Sequence, residues 1–157
     1  MSQQNNKFSN ESICTVKSIN HVCLAVEDIV ETIKLYVKLF GIPSPKIEMI
    51  PDQKVKAAII KLGDSSLEFI EPTDNDSGVA KFIKNKGEGI HHICFEVENI
   101  QKSIRELQNA DVKLIDSQPR QGLEGTIAFI HPKSTGNVLI ELIETSTSKN
   151  KVKFNGK

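Results

Sequence analysis

Two histidines and two glutamates stand at matching points of an internal repeat. His21 lies in Ile19-Asn20-His21-Val22-Cys23 and His92 in Ile90-His91-His92-Ile93-Cys94, 71 positions apart (92 minus 21). Glu68 lies in Leu67-Glu68-Phe69-Ile70-Glu71 and Glu141 in Ile140-Glu141-Leu142-Ile143-Glu144, 73 positions apart (141 minus 68). Two imidazoles and two carboxylates offer enough donors for a divalent cation, with coordination positions left over for substrate oxygens. One His or one Glu on a strand is more often structural than functional. Four of them at equivalent places of two copies point to a metal shared between half-sites.

The segments that carry these residues alternate in the manner of strands, and strand parity decides which side chains share a face. His21, Cys23 and Ala25 fall on one face of the first segment, opposite Val22 and Leu24. His92 and Cys94 oppose Ile93 and Phe95 in the second copy. Glu68 and Ile70 oppose Leu67 and Phe69, and Glu141 and Ile143 oppose Ile140 and Leu142. The continuous apolar face is one that helices must cover; the other carries one His or Glu per strand and lines a cleft. Cys23 and Cys94 read as small core-lining residues rather than ligands. His91 has the opposite parity and is expected to face the helix layer or solvent. His131 sits at a strand end before Pro132, as a loop residue or a support for a ligand.

Around these segments the pattern predicts a duplicated β-α-β-β-β module. In the first copy a strand at 19–26 precedes a helix capped by Asp28 and closed by Gly41. Strands follow at 46–50, 55–62 and 65–71, the last two joined by a tight Gly63-Asp64 turn. The second copy has a strand at 90–97, a helix at about 99–109, and strands near 112–116, 125–131 and 136–144. A short helix at 79–84 lies in the connection. The expected class is therefore α+β: two paired modules, 18–72 and 89–145, joined by a linker at 73–88 into one domain over 16–145. A curved mixed sheet should wrap a metal cleft. Residues 1–15 and 146–157 are polar and unpatterned and are expected to be disordered tails.

Composition excludes several classes. Lys plus Arg and Asp plus Glu each total 20, so nothing steers the chain toward nucleic acid or an anionic membrane. No apolar run approaches the roughly 18 residues of a spanning helix. Three cysteines without paired spacing argue for a reducing compartment, cytoplasmic or, in a eukaryote, the mitochondrial matrix.

Paired modules of this kind resemble the vicinal-oxygen-chelate, glyoxalase-like superfamily, and within it the methylmalonyl-CoA epimerase branch. Over about residues 18–145, the resemblance is carried by Ile19-Asn20-His21-Val22, by Leu67-Glu68-Phe69-Ile70-Glu71-Pro72 and by Gly87-Glu88-Gly89-Ile90-His91-His92-Ile93. The loop His131-Pro132-Lys133-Ser134-Thr135-Gly136, running into Val138-Leu139-Ile140-Glu141-Leu142, is specific to the branch. The resemblance implies a divalent cation, often cobalt, with Mn2+, Ni2+ or Zn2+ as substitutes, held by His21, Glu68, His92 and Glu141. It implies a homodimer acting on an acyl-CoA thioester, interconverting (R)- and (S)-methylmalonyl-CoA in propionate metabolism.

That chemistry removes an acidic proton between a thioester and a carboxylate, and a cation on those oxygens would stabilise the resulting enolate. Epimerisation needs an acid/base group on each face of the carbon. The resemblance assigns Glu141 as one base. Where some relatives carry a second acid, this chain has Val55-Lys56-Ala57-Ala58, so Glu68 is the expected second base and Glu48 a more distant candidate. Lys133 and Arg120 are candidates for the CoA phosphates and Ser134 for the substrate carboxylate. The rival readings are a glyoxalase I-type lactoylglutathione lyase, an extradiol dioxygenase, and a metal-free drug-binding protein of the same superfamily.

Overall fold

The computed structural model describes residues 12–145, so the tail readings for 1–11 and 146–157 lie outside the described residues. The elements run β1 (Val16–Ala25), α1 (Ile29–Phe40), β2 (Glu48–Ile50), β3 (Val55–Leu62), β4 (Ser65–Pro72), α2 (Gly78–Lys86), β5 (Gly89–Val97), α3 (Ile100–Asn109), β6 (Arg120–Gln121), β7 (Gly125–Ile130) and β8 (Ile140–Thr145). The eight strands form one mixed sheet in the order β2-β3-β4-β1-β5-β8-β7-β6. Each half repeats the same local order, with β1 parallel to β4 and β5 parallel to β8. The halves meet where β1 and β5 pair antiparallel, so the approximate twofold runs through the strands that carry the two histidines.

The two faces of the sheet are built as alternation predicts. On one, Ile29 and Ile33 of α1 pack with Val26, Ala58, Ile60 and Phe69. On the same side of the other half, Ile100, Ile104 and Leu107 of α3 pack with Val97, Ala128, Ile130 and Leu142. The opposite face carries Cys23, Ala25, Ala57 and Ile70 under Ile83 of α2, and Cys94, Ile127 and Ile143 in the second half.

Helix entry is duplicated too. Asp28 accepts the Glu31 N–H at 3.0 Å, and Asn99 accepts the Lys102 N–H at 2.8 Å. A free N–H at each helix start is then taken from across the sheet. Glu71 Oε2 accepts from Ile29 N and Glu144 Oε2 from Ile100 N, both at 3.0 Å. These are favourable places for a carboxylate, because the N-terminal N–H groups lack intrahelical partners and carry the positive end of the helix dipole. The second Glu of each closing strand is thus committed to the fold, while the first faces the cleft.

The expected second-module strand at 112–116 is not a strand. Leu114 forms only an isolated bridge with Ile130, because the Asp116 carboxylate takes the Phe129 N–H at 2.9 Å in place of a backbone carbonyl. The edge strand there is the two-residue β6, paired with Thr126 and Ile127. The closing strand begins at Ile140 rather than 136, since Gly136 and Asn137 adopt positive φ in the turn before it. The short helix expected at 79–84 extends over Gly78–Lys86, capped by Ser77, whose hydroxyl accepts the Ala80 N–H.

Candidate metal centre and cavity

The register of the four central strands brings the repeat's polar residues together in two rows. Across β4, β1 and β5, Glu68 is level with Cys23 and Cys23 with His92. Across β1, β5 and β8, His21 is level with Cys94 and Cys94 with Glu141. Each cysteine is a small, fully buried spacer between two long polar side chains, and this leaves room for those side chains to converge.

They converge closely. His21 Nε2 and His92 Nε2 lie 3.2 Å apart. Glu141 Oε2 is 2.7 Å from His92 Nε2 and 3.5 Å from His21 Nε2. Glu68 Oε2 is 3.3 Å from His21 Nε2 and 3.8 Å from His92 Nε2. Donors about 2.1 Å from a shared ion sit roughly 3.0–3.4 Å from their neighbours, so these spacings fit a cation with little adjustment. His21, His92 and Glu141 offer donor atoms that all lie within 4.8 Å of one another, and Glu68 adds a carboxylate beside both imidazoles; this nitrogen and oxygen donor set suits a first-row divalent metal. A second trio of potential donors, Cys23, His91 and His92, also lies within 4.8 Å. It is the poorer set for a cation that must also hold substrate oxygens, because it contains no carboxylate; in the metal-free protein burial, then the neighbouring Glu68 charge, push the Cys23 thiol well above its ordinary range.

The electrostatics of the cluster are those of fixed opposite charges. Burial opposes a charge on His21, but hydrogen bonds to Cys94, Glu141 and Glu68 outweigh it and push the imidazole up to about 12. Burial would raise the Glu141 carboxyl, yet hydrogen bonds from His21 and His92 hold it at about 2. Without a metal, a proton on His21 thus supplies positive charge among the carboxylates. His91 is pressed the other way, to about 4, by burial and then by the electrostatic influence of the neighbouring His92 ring, and stays neutral at pH 7.

The four side chains open into a cavity of about 730 Å³. Its apolar wall includes Ile70, Phe82, Phe129 and Ile143, with the Phe129 ring edge-on to His92 at 5.2 Å. Val55 and Ala57 of β3 are buried toward this side, so β3 offers no acid there.

Of the residues nominated for substrate, Arg120 lines the cavity, lying 5.4 Å over the Phe129 ring with its Nε 3.4 Å from Asp116. Lys133 and Ser134 are exposed and do not line it; the Ser134 hydroxyl accepts the Lys113 N–H at 3.0 Å. Glu48 is also outside the cavity, on the edge strand β2 and paired with Lys46 at 3.1 Å. As a candidate base it is set aside because it does not line the cavity. His131 is a loop residue: its Nδ1 accepts the Lys133 N–H at 3.1 Å.

His91 corrects the parity argument. It lines the cavity against Phe82, ring centroids 4.9 Å apart, and its Nδ1 is 2.9 Å from His92 Nδ1. The cause is a break in register. Cys23 pairs with His92 and Leu24 with Ile90, leaving His91 as an extra, bulged residue. Asn20 is bulged in the same way between Ile19 and His21, and its Oδ1 is 2.7 Å from His21 Nδ1. Sequence parity missed both, although their shared place just before each ligand histidine was visible in the repeat.

Comparison with known proteins identifies the family. A family model described as Glyoxalase/Bleomycin resistance protein/Dioxygenase superfamily matches residues 20–129. The human mitochondrial methylmalonyl-CoA epimerase is 32% identical over 133 residues, covering 83% of this chain and 76% of the human protein. The ethylmalonyl-CoA/methylmalonyl-CoA epimerase of Cereibacter sphaeroides is 35% identical over 129 residues, covering 79% and 95%. Among solved structures, a variant of Streptomyces coelicolor methylmalonyl-CoA epimerase in complex with 2-nitronate-propionyl-CoA superposes with a TM-score of 0.80 at 31% identity, covering 84% and 96%. The lactoylglutathione lyase of Oryza sativa subsp. japonica is 23% identical over 128 residues, and the match spans 43% of its length. With two modules of matching order, a shared His/Glu centre and relatives aligned over nearly the whole described region, the chain belongs to the methylmalonyl-CoA epimerase family of the glyoxalase superfamily.

Proposed function

We propose that this chain interconverts the (R) and (S) forms of methylmalonyl-CoA, serving propionate metabolism. The observation that carries the reading is the convergence of His21, Glu68, His92 and Glu141 in one cavity. These four residues hold a divalent ion, cobalt by preference and Mn2+, Ni2+ or Zn2+ as substitutes. When bound, that ion supplies Lewis-acid polarisation of the thioester and carboxylate oxygens flanking the acidic carbon.

The chain's own groups then move the proton. Glu141 is ionised at neutral pH and takes the C2 proton from one face. Glu68 serves the other face: it approaches the imidazoles from the first half as Glu141 does from the second. The apolar wall limits water around the reacting carbon, which strengthens every charge interaction there. The CoA phosphates meet the cavity's cations, Arg120 with Lys81 and Lys86 of α2, and Lys133 on the adjoining loop, whose Ser134 is the candidate for the substrate carboxylate.

Residues 16–145 act as one catalytic domain, and two copies form a homodimer. No helix among the described residues is long and apolar enough to cross a membrane. The compartment we assign is the cytoplasm, or the mitochondrial matrix in a eukaryote, as the name of the human relative suggests. A lactoylglutathione lyase would use the same fold and a similar metal set, but the lower identity and shorter coverage favour the epimerase. A drug-sequestering protein would have no use for the quartet of ligands.

Chiral chromatography tests the reading. Metal-loaded protein given (S)-methylmalonyl-CoA alone should return a near-equal mixture of both forms. An unchanged (S) form, with turnover of a glutathione hemithioacetal instead, would move the chain to the lyases.

A further inference from the structure

We propose that Asn20 and His91 are paired positioning residues, each a bulged neighbour that holds the Nδ1–H of the ligand histidine following it. This inference rests on the metal reading of the site. A neutral imidazole that presents Nε2 to a metal must carry its proton on Nδ1, and that proton needs an acceptor. Asn20 Oδ1 stands 2.7 Å from His21 Nδ1, and His91 Nδ1 stands 2.9 Å from His92 Nδ1. An amide oxygen accepts, so the first contact holds a proton on His21 Nδ1. In the second, a metal on His92 Nε2 would put the His92 proton on Nδ1, and His91 as the Nε2–H tautomer would leave its Nδ1 lone pair to accept it.

The backbone supports the assignment independently of the side-chain contacts. In an unbroken ladder, the residue before a ligand points to the other face of the sheet. At both positions β1 and β5 carry one extra residue, so Asn20 and His91 are re-aimed toward the ligand side. The two bulges are 71 residues apart (91 minus 20), the displacement of the ligands themselves. A register irregularity repeated at the same place in both halves, with a hydrogen-bond acceptor in each, is a built feature. The halves differ in its chemistry: an amide in one, an imidazole braced by Phe82 in the other.

The test is metal affinity together with the visible spectrum of the Co2+-loaded protein, for the unaltered chain and four variants. Asn20→Leu and His91→Leu remove the acceptor and should each weaken Co2+ binding by about 10- to 100-fold and shift the cobalt bands. Asn20→Asp and His91→Asn keep an acceptor at the same reach and should bind within about threefold of the unaltered chain, with its spectrum. Circular dichroism checks that the leucine variants are folded, and the conservative pair decides the matter if they are not. Leucine variants with undiminished affinity and unchanged bands would overturn the proposal, as would loss in His91→Asn equal to that in His91→Leu. An unaltered chain that binds no Co2+ would instead overturn the metal reading, and the proposal with it.

Discussion

His21 Nε2 and His92 Nε2 lie 3.2 Å apart although 71 residues separate them in the chain. Two neutral imidazoles with both Nε2 lone pairs exposed would repel at that distance. In the metal-free protein the charge on His21 removes the conflict, and a cation between the rings would do the same.

Metal binding should therefore expel protons. With His21 held up to about 12, the metal-free protein carries an imidazolium at pH 7, and its proton must leave for Nε2 to coordinate. Calorimetric titration with Zn2+ at pH 7, in buffers of different ionisation enthalpy, should show release of at least about one proton per site. Affinity should rise with pH. A proton count of zero would mean that His21 is already neutral.

The same groups set the pH dependence of metal-free stability. His21 is raised on folding, so its contribution is complete below its ordinary value of 6.5 and declines as pH rises toward about 12. Glu141 is lowered, so its contribution is complete above its ordinary 4.5 and declines as pH falls toward about 2. Urea unfolding of the metal-free protein should thus show this cluster's stabilisation greatest between those ordinary values. His21→Gln should flatten the alkaline side.

The two glutamates of each closing strand should separate cleanly. Glu71→Ala and Glu144→Ala remove the acceptors for Ile29 N–H and Ile100 N–H and should cost about 1–2 kcal/mol each in urea unfolding. Metal affinity should be unaffected. Glu141→Gln should instead lower epimerase activity by about 100-fold or more while the fold persists.

The buried thiols should prove to be spacers. Burial pushes Cys94 up to about 12 and Cys23 well above its ordinary range, so in the metal-free protein neither is a thiolate nucleophile at neutral pH. Cys23→Ala and Cys94→Ala should keep Zn2+ affinity within about threefold. A larger loss from Cys23→Ala would favour the trio of Cys23, His91 and His92 as the metal site.

The convergence of His21, Glu68, His92 and Glu141 was legible in sequence because strand parity is a rigid rule wherever one face must be buried. Glu68 and Glu141 interrupt their apolar strands on the side away from α1 and α3, and both histidines follow suit. The rule failed at His91, where one inserted residue reverses parity and leaves no local mark in the sequence. It also overreached at 112–116, whose apolar alternation is genuine but whose Asp116 side chain takes the hydrogen bond that a strand would need. Lys133, Ser134 and Glu48 were nominated by loop or strand position, and position along the chain does not tell which way an exposed side chain leans.

The two-base assignment predicts an asymmetric defect. Glu68→Gln should retain part of the metal affinity yet exchange the C2 proton of only one methylmalonyl-CoA enantiomer, measured by proton NMR in D2O. Equal loss from both enantiomers would remove Glu68 as the second base.

The most direct measurement is deuterium uptake at C2 of methylmalonyl-CoA in D2O, with cobalt-loaded and metal-stripped protein side by side. Rapid uptake into both enantiomers, abolished by stripping and restored by cobalt, is the expected result. Uptake no faster than the spontaneous rate, in protein shown to hold its metal, would contradict the epimerase assignment.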